Sequence, residues 1–184
     1  PNACPEISLP VQAGHDGLLR RMGRHYTVDD YRRLVGQIRA AIPGVALATD
    51  VIVGFPGESE EEYAGTRRLL EEERFDVVHI AAYSPRPGTA AARLPDDIPP
   101  AVKEQRRQEL EALQEGIAGA LNAACLGQAL QVLVGDRDKG RWRGKTPAGK
   151  WCFFDDPEPR AGQLVRVQVT HTGPWSLQGE MLAP

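Results

Sequence analysis

The sequence predicts an α/β unit followed by a small β-barrel. Three features point there: helix-period and strand-like apolar runs alternate over the first hundred residues, a long charged helix follows, and after Gly127 the pattern breaks into short strands. The first element is a short apolar strand, Ile7 to Leu9, leading into Pro10-Val11-Gln12-Ala13-Gly14. Thr27 precedes an amphipathic run with Tyr31, Leu34, Val35, Ile38 and Ile42 on one face. Asp30 supplies the second half of a capping box, and Pro43-Gly44 stops the helix. Val45 to Phe55 is nearly continuous apolar sequence broken by Asp50, as for a strand buried on both faces of a parallel sheet. Gly57 ends it; Ser59 and Glu62 cap a helix running to about Glu73, and a further strand covers Phe75 to Tyr83.

The punctuated segment Pro95 to Pro100 opens a helix over Ala101 to about Ala124, with Leu110, Leu113, Ile117 and Leu121 on one face. Beyond it Gln128–Val134, Arg141–Lys145, Lys150–Phe154, Leu164–His171 and Ser176–Met181 read as strands separated by Gly, Pro and Asp. Five short strands in this space predict a five-stranded antiparallel β-barrel of the oligonucleotide-binding type. The domain boundary is expected near residue 125, giving segments 1–124 and 125–184.

Composition narrows the function classes. With 184 residues, 41% apolar and 26% charged, the chain has a soluble globular balance, and a net charge of −3 argues against a strongly basic nucleic-acid binder while leaving room for a local patch. No run approaches the roughly 18 apolar residues of a membrane span and no signal peptide precedes the first motif, so a cytoplasmic protein is expected. The chain opens with Pro1, which suggests a fragment. Cys4, Cys125 and Cys152 form no C-x-x-C pair, and His15, His25, His79 and His171 have no metal-ligand spacing; neither a zinc site nor a disulfide framework is expected. His79 reads as a satisfied sheet histidine and Cys152 as a core residue.

Four segments carry candidate chemistry. Gln12 lies just past a strand, where parallel α/β folds place ligands, so it faces a cofactor or is simply part of a helix-entry loop. Asp50, inside an apolar strand, needs a ligand or a neighbouring amide to offset desolvation. Gly54-Phe55-Pro56-Gly57-Glu58 permits close backbone approach and leaves free amides at a helix N-terminus, or is a plain β–α turn. Arg86, between Pro85 and Pro87, is held as for bidentate recognition of a carboxylate or phosphate, or is a solvated arginine. In the last segment Arg137, Lys139, Arg141, Arg143 and Lys145 recur at every second residue. If extended, that stretch places all five on one side, with Trp142 and Trp151 nearby, as single-stranded nucleic acid would require; Asp136 and Asp138 dilute the patch, and a mixed-charge hairpin is the alternative.

In order, LPVQAG, MGRHYTVDDY, TDVIVGFPGESEEEY, FDVVHIAAYSPRPGTAAA, the K-x-x-R-x-x-x-L helix and GQLVRV…PWSLQGE resemble the radical-SAM methylthiotransferase family in its tRNA-modifying MiaB branch, over nearly the whole chain. The resemblance implies a partial (β/α) barrel, the C-terminal portion of a radical-SAM barrel, followed by a TRAM domain. It also implies S-adenosyl-L-methionine and two [4Fe-4S] clusters in the full-length parent. The implied reaction adds a methylthio group to an isopentenyl-modified adenosine beside the anticodon. By position in the motifs, Gln12, Asp50 and Gly54 would lie around the cofactor and Arg86 around substrate, while Arg141, Arg143 and Lys145 would hold the anticodon arm of tRNA. The family's Ser-Gly-Ser reads Ala13-Gly14-His15 here. The C-x-x-x-C-x-x-C motif and the auxiliary cysteines are absent from these residues, so no cluster, catalytic residue or metal ligand is expected in this chain, and no turnover by it alone. Open strand edges of a half-barrel would favour self-association. A threonylcarbamoyl-adenosine enzyme, a ribosomal-protein methylthiotransferase (disfavoured by Arg86-Pro87-Gly88-Thr89) and a non-catalytic RNA-binding module are the alternatives.

Overall fold

A computed structural model describes residues 5–182, so Cys4 lies outside the described residues. Strands β1 (Glu6–Ser8), β2 (Ala46–Val53) and β3 (Val77–Ala82) form one sheet in the order β1-β2-β3, with β2 and β3 parallel. Helices α1 (Asp16–Arg21), α2 (Val28–Ala41), α3 (Glu60–Glu73) and α4 (Pro100–Ala123) accompany it. Both expected capping boxes form: Thr27 and Asp30 exchange side-chain–backbone bonds at α2, and Ser59 and Glu62 do so at α3. On α2, Tyr31 and Val35 are buried, whereas Leu34 and Ile42 at the margins of the apolar face are 42% and 38% exposed.

Contacts divide the chain into two compact units. One holds residues 8–43 and 47–114; the other holds 115–184 with the short segments ending at Ile7 and Ala46. In the first, β2 is buried at nearly every position, but β3 alternates exposed and half-buried. One sheet face, with Thr49, Val51 and Val53, is closed off; the other, with Asp50, Ile52, Val77, His79 and Ala81, is largely open. A strand paired on both sides hides most of its surface even when one face of its sheet lacks a layer, which is why β2 reads as a fully buried run. His79 is exposed, and its imidazole makes no hydrogen bond among the described residues, contrary to the expectation of a satisfied sheet histidine.

The second unit is a closed barrel of β4 (Ala129–Asp138), β5 (Arg141–Lys145), β6 (Trp151–Asp155), β7 (Leu164–Thr172) and β8 (Leu177–Met181), in the order β4-β5-β6-β8-β7. The strands match the sequence reading to within a few residues. The antiparallel barrel is corrected at one seam: β6 and β8 pair parallel, while the other four pairs are antiparallel. A closed ring with an odd number of strands cannot alternate direction all the way round, so one parallel pair is unavoidable. The core is Val132, Val134, Trp142, Cys152, Phe154, Val167, Val169 and Leu177. Gly144 and Gly179 face inward where strands close together. A Cβ on Gly144 would collide with the Leu133 carbonyl, and one on Gly179 with that of Gln168.

The end of α4 belongs with the barrel unit. Asn122, 5% exposed, donates from Nδ2 to the carbonyls of Gly173 (2.8 Å) and Pro174 (3.1 Å), and its Oδ1 accepts from Lys150 Nζ at 2.9 Å. Asn122→Ala strands these groups. Urea unfolding of the whole chain should show a loss of about 1–3 kcal/mol.

Candidate functional site

The loop after β1 is fixed from beneath by hydroxyls. Thr49 Oγ1, fully buried, accepts from the Val11 amide at 3.0 Å and donates to the Leu9 carbonyl at 2.9 Å. Tyr31 donates to the same carbonyl at 2.7 Å; burial pushes its phenol up to about 12, so it stays a donor at any physiological pH. The Gly14 amide donates to Thr66 Oγ1 at 2.9 Å. Between these anchors Gln12 adopts φ +72, the left-handed region that non-glycine residues avoid. Its amide donates to the Asp50 carbonyl at 2.8 Å and its carbonyl accepts from Ile52 at 2.9 Å, a parallel bridge to β2. Gln12, past the end of β1, and Asp50, three residues before the end of β2, are therefore neighbours. Asp50 is half-buried on the open face, and its carboxylate makes no hydrogen bond among the described residues.

The turn after β2 departs from expectation. Its amides are not free: Gly54 N–H donates to Glu58 Oε2 at 2.6 Å, Gly57 N–H to Asp97 Oδ1 at 2.8 Å and Ser59 N–H to Glu62 Oε2 at 3.0 Å. The chain's own carboxylates already satisfy the donors that an anion would use. Gly54 has φ +69, and a Cβ there would run into the stem of Lys103. Glu58, 3% exposed, also pairs with Arg106 Nη1 at 2.6 Å; burial pushes its carboxyl up, opposed by the Gly54 amide and then the guanidinium. Arg106, 5% exposed, pairs with Glu60 as well and lies 5.1 Å from the Tyr63 ring. One turn earlier on α4, Lys103 donates to Asp96 at 2.5 Å and to the Tyr83 carbonyl at 3.4 Å, and sits 5.1 Å from the Tyr83 ring. Tyr83 in turn meets Phe55 edge-on at 5.1 Å. Lys103 and Arg106 thus clamp the loops that follow β2 and β3.

These clamp residues were missed as functional candidates, although the K-x-x-R spacing was visible: an i, i+3 pair of cations lies on one helix face. Arg86, beyond Tyr83, is exposed, and its guanidinium has no partner among the described residues. Its carbonyl accepts from the Thr89 hydroxyl at 2.8 Å and the Thr89 amide at 3.2 Å, closing the turn. His15 caps α1, its Nδ1 accepting from the Gly17 amide at 3.2 Å. It also borders a polar cleft of about 250 Å³ with Asp16, Arg32, Glu61 and Arg68.

On the barrel, the five alternating cations do not share one side. A turn at Lys139 (φ +49) and Gly140 reverses the chain, and Arg137 stacks at 4.5 Å on the ring of Trp142, which is buried rather than available as surface. Arg141, Arg143 and Lys145 do share the outer face of β5. Arg141 donates to Gln178 at 2.9 Å and lies 3.4 Å from Asp155; Arg143 grips Asp136 with bonds of 2.6 and 3.0 Å. Arg143 and Lys145 each lie 5.2 Å from the ring of Trp151, which is 40% exposed.

The described cysteines do not fit an iron–sulfur cluster. Cys152 is fully buried in the barrel core with its thiol pushed up to about 11 by burial, Cys125 is partly buried against the same core, and no group of three His, Cys, Asp or Glu among the described residues is arranged to hold a metal. No helix among the described residues is long and apolar enough to cross a membrane.

Comparison with known proteins places this geometry. Residues 2–70 match the radical SAM superfamily and residues 123–182 the TRAM domain. The chain is 57% identical over 183 residues to the tRNA-2-methylthio-N(6)-dimethylallyladenosine synthase of Roseiflexus sp. (strain RS-1), covering 97% of this chain and 38% of that protein. It is 54% identical to the synthase of the same name from Chloroflexus aurantiacus, covering 97% and 39%, and 47% identical to that of Herpetosiphon aurantiacus, covering 99% and 42%. The chain therefore spans about two-fifths of the length of the curated relatives it matches. Among solved structures, the radical SAM enzyme coproporphyrinogen III oxidase (HemN) from Escherichia coli aligns with a TM-score of 0.54 at 16% identity, covering 90% of this chain and 41% of that one; the likeness is one of fold.

The clamp and the neighbouring Glu62–Arg21 pair each give a test. Arg106→Met leaves Glu58 buried without its cation, and should lower stability by about 3–5 kcal/mol in urea unfolding. Glu62 is held below the usual carboxylate range, first by its bond to Arg21 (2.5 Å) and then by the Ser59 amide. A depressed folded-state value adds stability above the unfolded value of about 4.3, and that stability is lost as pH falls through the folded value. Thermal unfolding from pH 6 down to pH 2.5 should show a shallower acid loss in Glu62→Gln than in the parent.

Proposed function

We propose that the chain is the C-terminal part of a tRNA methylthiotransferase of the radical-SAM methylthiotransferase family, in its MiaB branch. The proposed substrate is an isopentenyl-modified adenosine beside the anticodon. The observation that carries this reading is alignment over 97% of the chain, at 57% identity, with a synthase whose name specifies that nucleoside. In the full-length parent, S-adenosyl-L-methionine and two [4Fe-4S] clusters would supply the radical chemistry and the sulfur delivery. We assign Gln12 and Asp50 to the cofactor side of the sheet mouth. The left-handed backbone of Gln12 is tied to β2 at that edge, and the Asp50 carboxylate is left without an internal partner. Gly54 acts there by admitting Lys103 beneath the loop.

Arg86, exposed and unpaired among the described residues, is the proposed contact to an anionic group of the substrate. Arg141, Arg143 and Lys145 are the proposed contacts of residues 125–184 with the anticodon arm of tRNA. A cytoplasmic setting suits such a substrate. The open edges of the three-stranded sheet support self-association of this 184-residue chain, which light scattering would register as a dimer or larger species.

The test is the parent reading frame. Expressed anaerobically in a host lacking its own methylthiotransferase, it should convert isopentenyl-adenosine in tRNA to the methylthio form, read by mass spectrometry of digested tRNA, and Arg86→Ala should reduce that conversion at least tenfold. Unmodified isopentenyl-adenosine with a loaded parent enzyme would overturn the assignment. Methylthiolation of threonylcarbamoyl-adenosine instead would move it to the sister activity.

A further inference from the structure

Resting on the RNA-binding reading of the barrel, we propose that its outer surface carries a transverse track for two or three unstacked bases of single-stranded RNA, formed by Leu164, Leu133, Lys145 and Trp151. The register places these four residues in one line across four strands: Leu164 is the partner of Leu133, Leu133 of Lys145, and Lys145 of Trp151. Each points outward, since Val132, Val134, Gly144 and Cys152 beside them are buried. Leu164 is 61% exposed, Leu133 57% and Trp151 40%. Three strand spacings make the line about 14 Å long.

The barrel interior is filled without these residues, so their exposure is not a packing remainder. Two adjacent exposed leucines in register, continued by a lysine and an exposed indole, form a narrow apolar strip with a cation set into it. Lys145 and Arg166, two residues beyond Leu164 on β7, make no side-chain ion pair among the described residues. They flank the leucines with free positive charge. Arg143 has its charge occupied by Asp136 and instead packs beside Trp151, supporting the ring.

A strip one residue wide, bordered by free cations and ending on a flat indole, matches a base-lined, phosphate-edged strand. Bases stack on apolar and aromatic surface regardless of sequence, and the flanking cations meet the phosphates. A protein partner would instead need a broader apolar patch.

The experiment uses the whole 184-residue chain and a fluorescein-labelled single-stranded RNA nonamer, with anisotropy titrations between 50 and 200 mM salt and intact tRNA in parallel. Leu133→Ser with Leu164→Ser should weaken nonamer binding about tenfold without changing the salt slope. Trp151→Ala should weaken it about tenfold while Trp151→Phe retains most of the affinity, and Lys145→Gln should flatten the salt slope by about 0.7. All four positions face solvent, so thermal midpoints should stay near that of the parent chain. If the double serine variant unfolds, the loss in Trp151→Ala set against retention in Trp151→Phe, together with the salt slope of Lys145→Gln, decides the question. Nonamer and tRNA binding that is intact in every variant would overturn the track and leave the RNA-binding reading standing. Self-association lost in the serine variant with RNA affinity unchanged would overturn it in favour of a contact between copies. No binding of either RNA by the parent chain would overturn both the track and the reading beneath it.

Discussion

The Glu58–Arg106 pair holds the carboxyl end of the α/β unit together. Two groups that are expensive to desolvate are buried side by side, and the cost is offset only because each has further bonds: the Gly54 amide on the carboxylate, and Glu60 with the Tyr63 ring on the guanidinium. With Lys103 one turn away against Gly54, Tyr83 and Asp96, one face of α4 sets the shape of both loops that leave the sheet. The positions of Gln12 and Asp50 then follow from the hydroxyl network of Thr49 and Tyr31 on the strand that those loops terminate. Buried charge constrains this geometry in direction as well as distance, although Glu58 Oε1 and Arg106 Nε are buried without a hydrogen-bond partner among the described residues.

The barrel solves a different problem. Five strands close into a ring only by accepting one parallel seam, and the two inward glycines make room where strand backbones come closest. Its outer face is electrostatically quieter than a count of basic residues suggests. Arg141 is tied to Gln178 and lies beside Asp155, Arg143 is held by Asp136, and Arg137 is folded onto Trp142. Unpaired charge on basic side chains remains at Lys139, Lys145 and Arg166; Lys145 lies across from Leu133, and Arg166 is two residues along β7 from Leu164. A neutralised surface with a few free cations suits the proposed contact with phosphate, since it limits binding to polyanions in general.

Much of this architecture was legible in the chain. The capping boxes at Thr27 and Ser59, the strand over β2, the long helix and all five barrel strands were visible, because each rests on local chemistry: a hydroxyl three residues before a carboxylate, an apolar run, a glycine or proline at a break. The motifs in their order carried the family resemblance on the same local footing. The site was less legible. The Gly54–Glu58 turn looked like a set of free amides because nothing in its own sequence shows that Glu58 and Asp97 will claim them. Trp142 and Trp151 look equivalent as residues, and only their strand phase separates a core indole from a surface one.

By itself, then, the sequence determined where the elements begin and end, which family's motifs they carry and which residue types follow the strands, since those signals act over a few residues. Tertiary structure alone decided which charges are spent internally, which sheet face stays open, where the barrel takes its parallel seam, and that Leu164, Leu133, Lys145 and Trp151 fall in line. Each of those outcomes depends on the register between strands, or on a helix and loop brought together across up to about 50 residues of chain, and no local pattern encodes them.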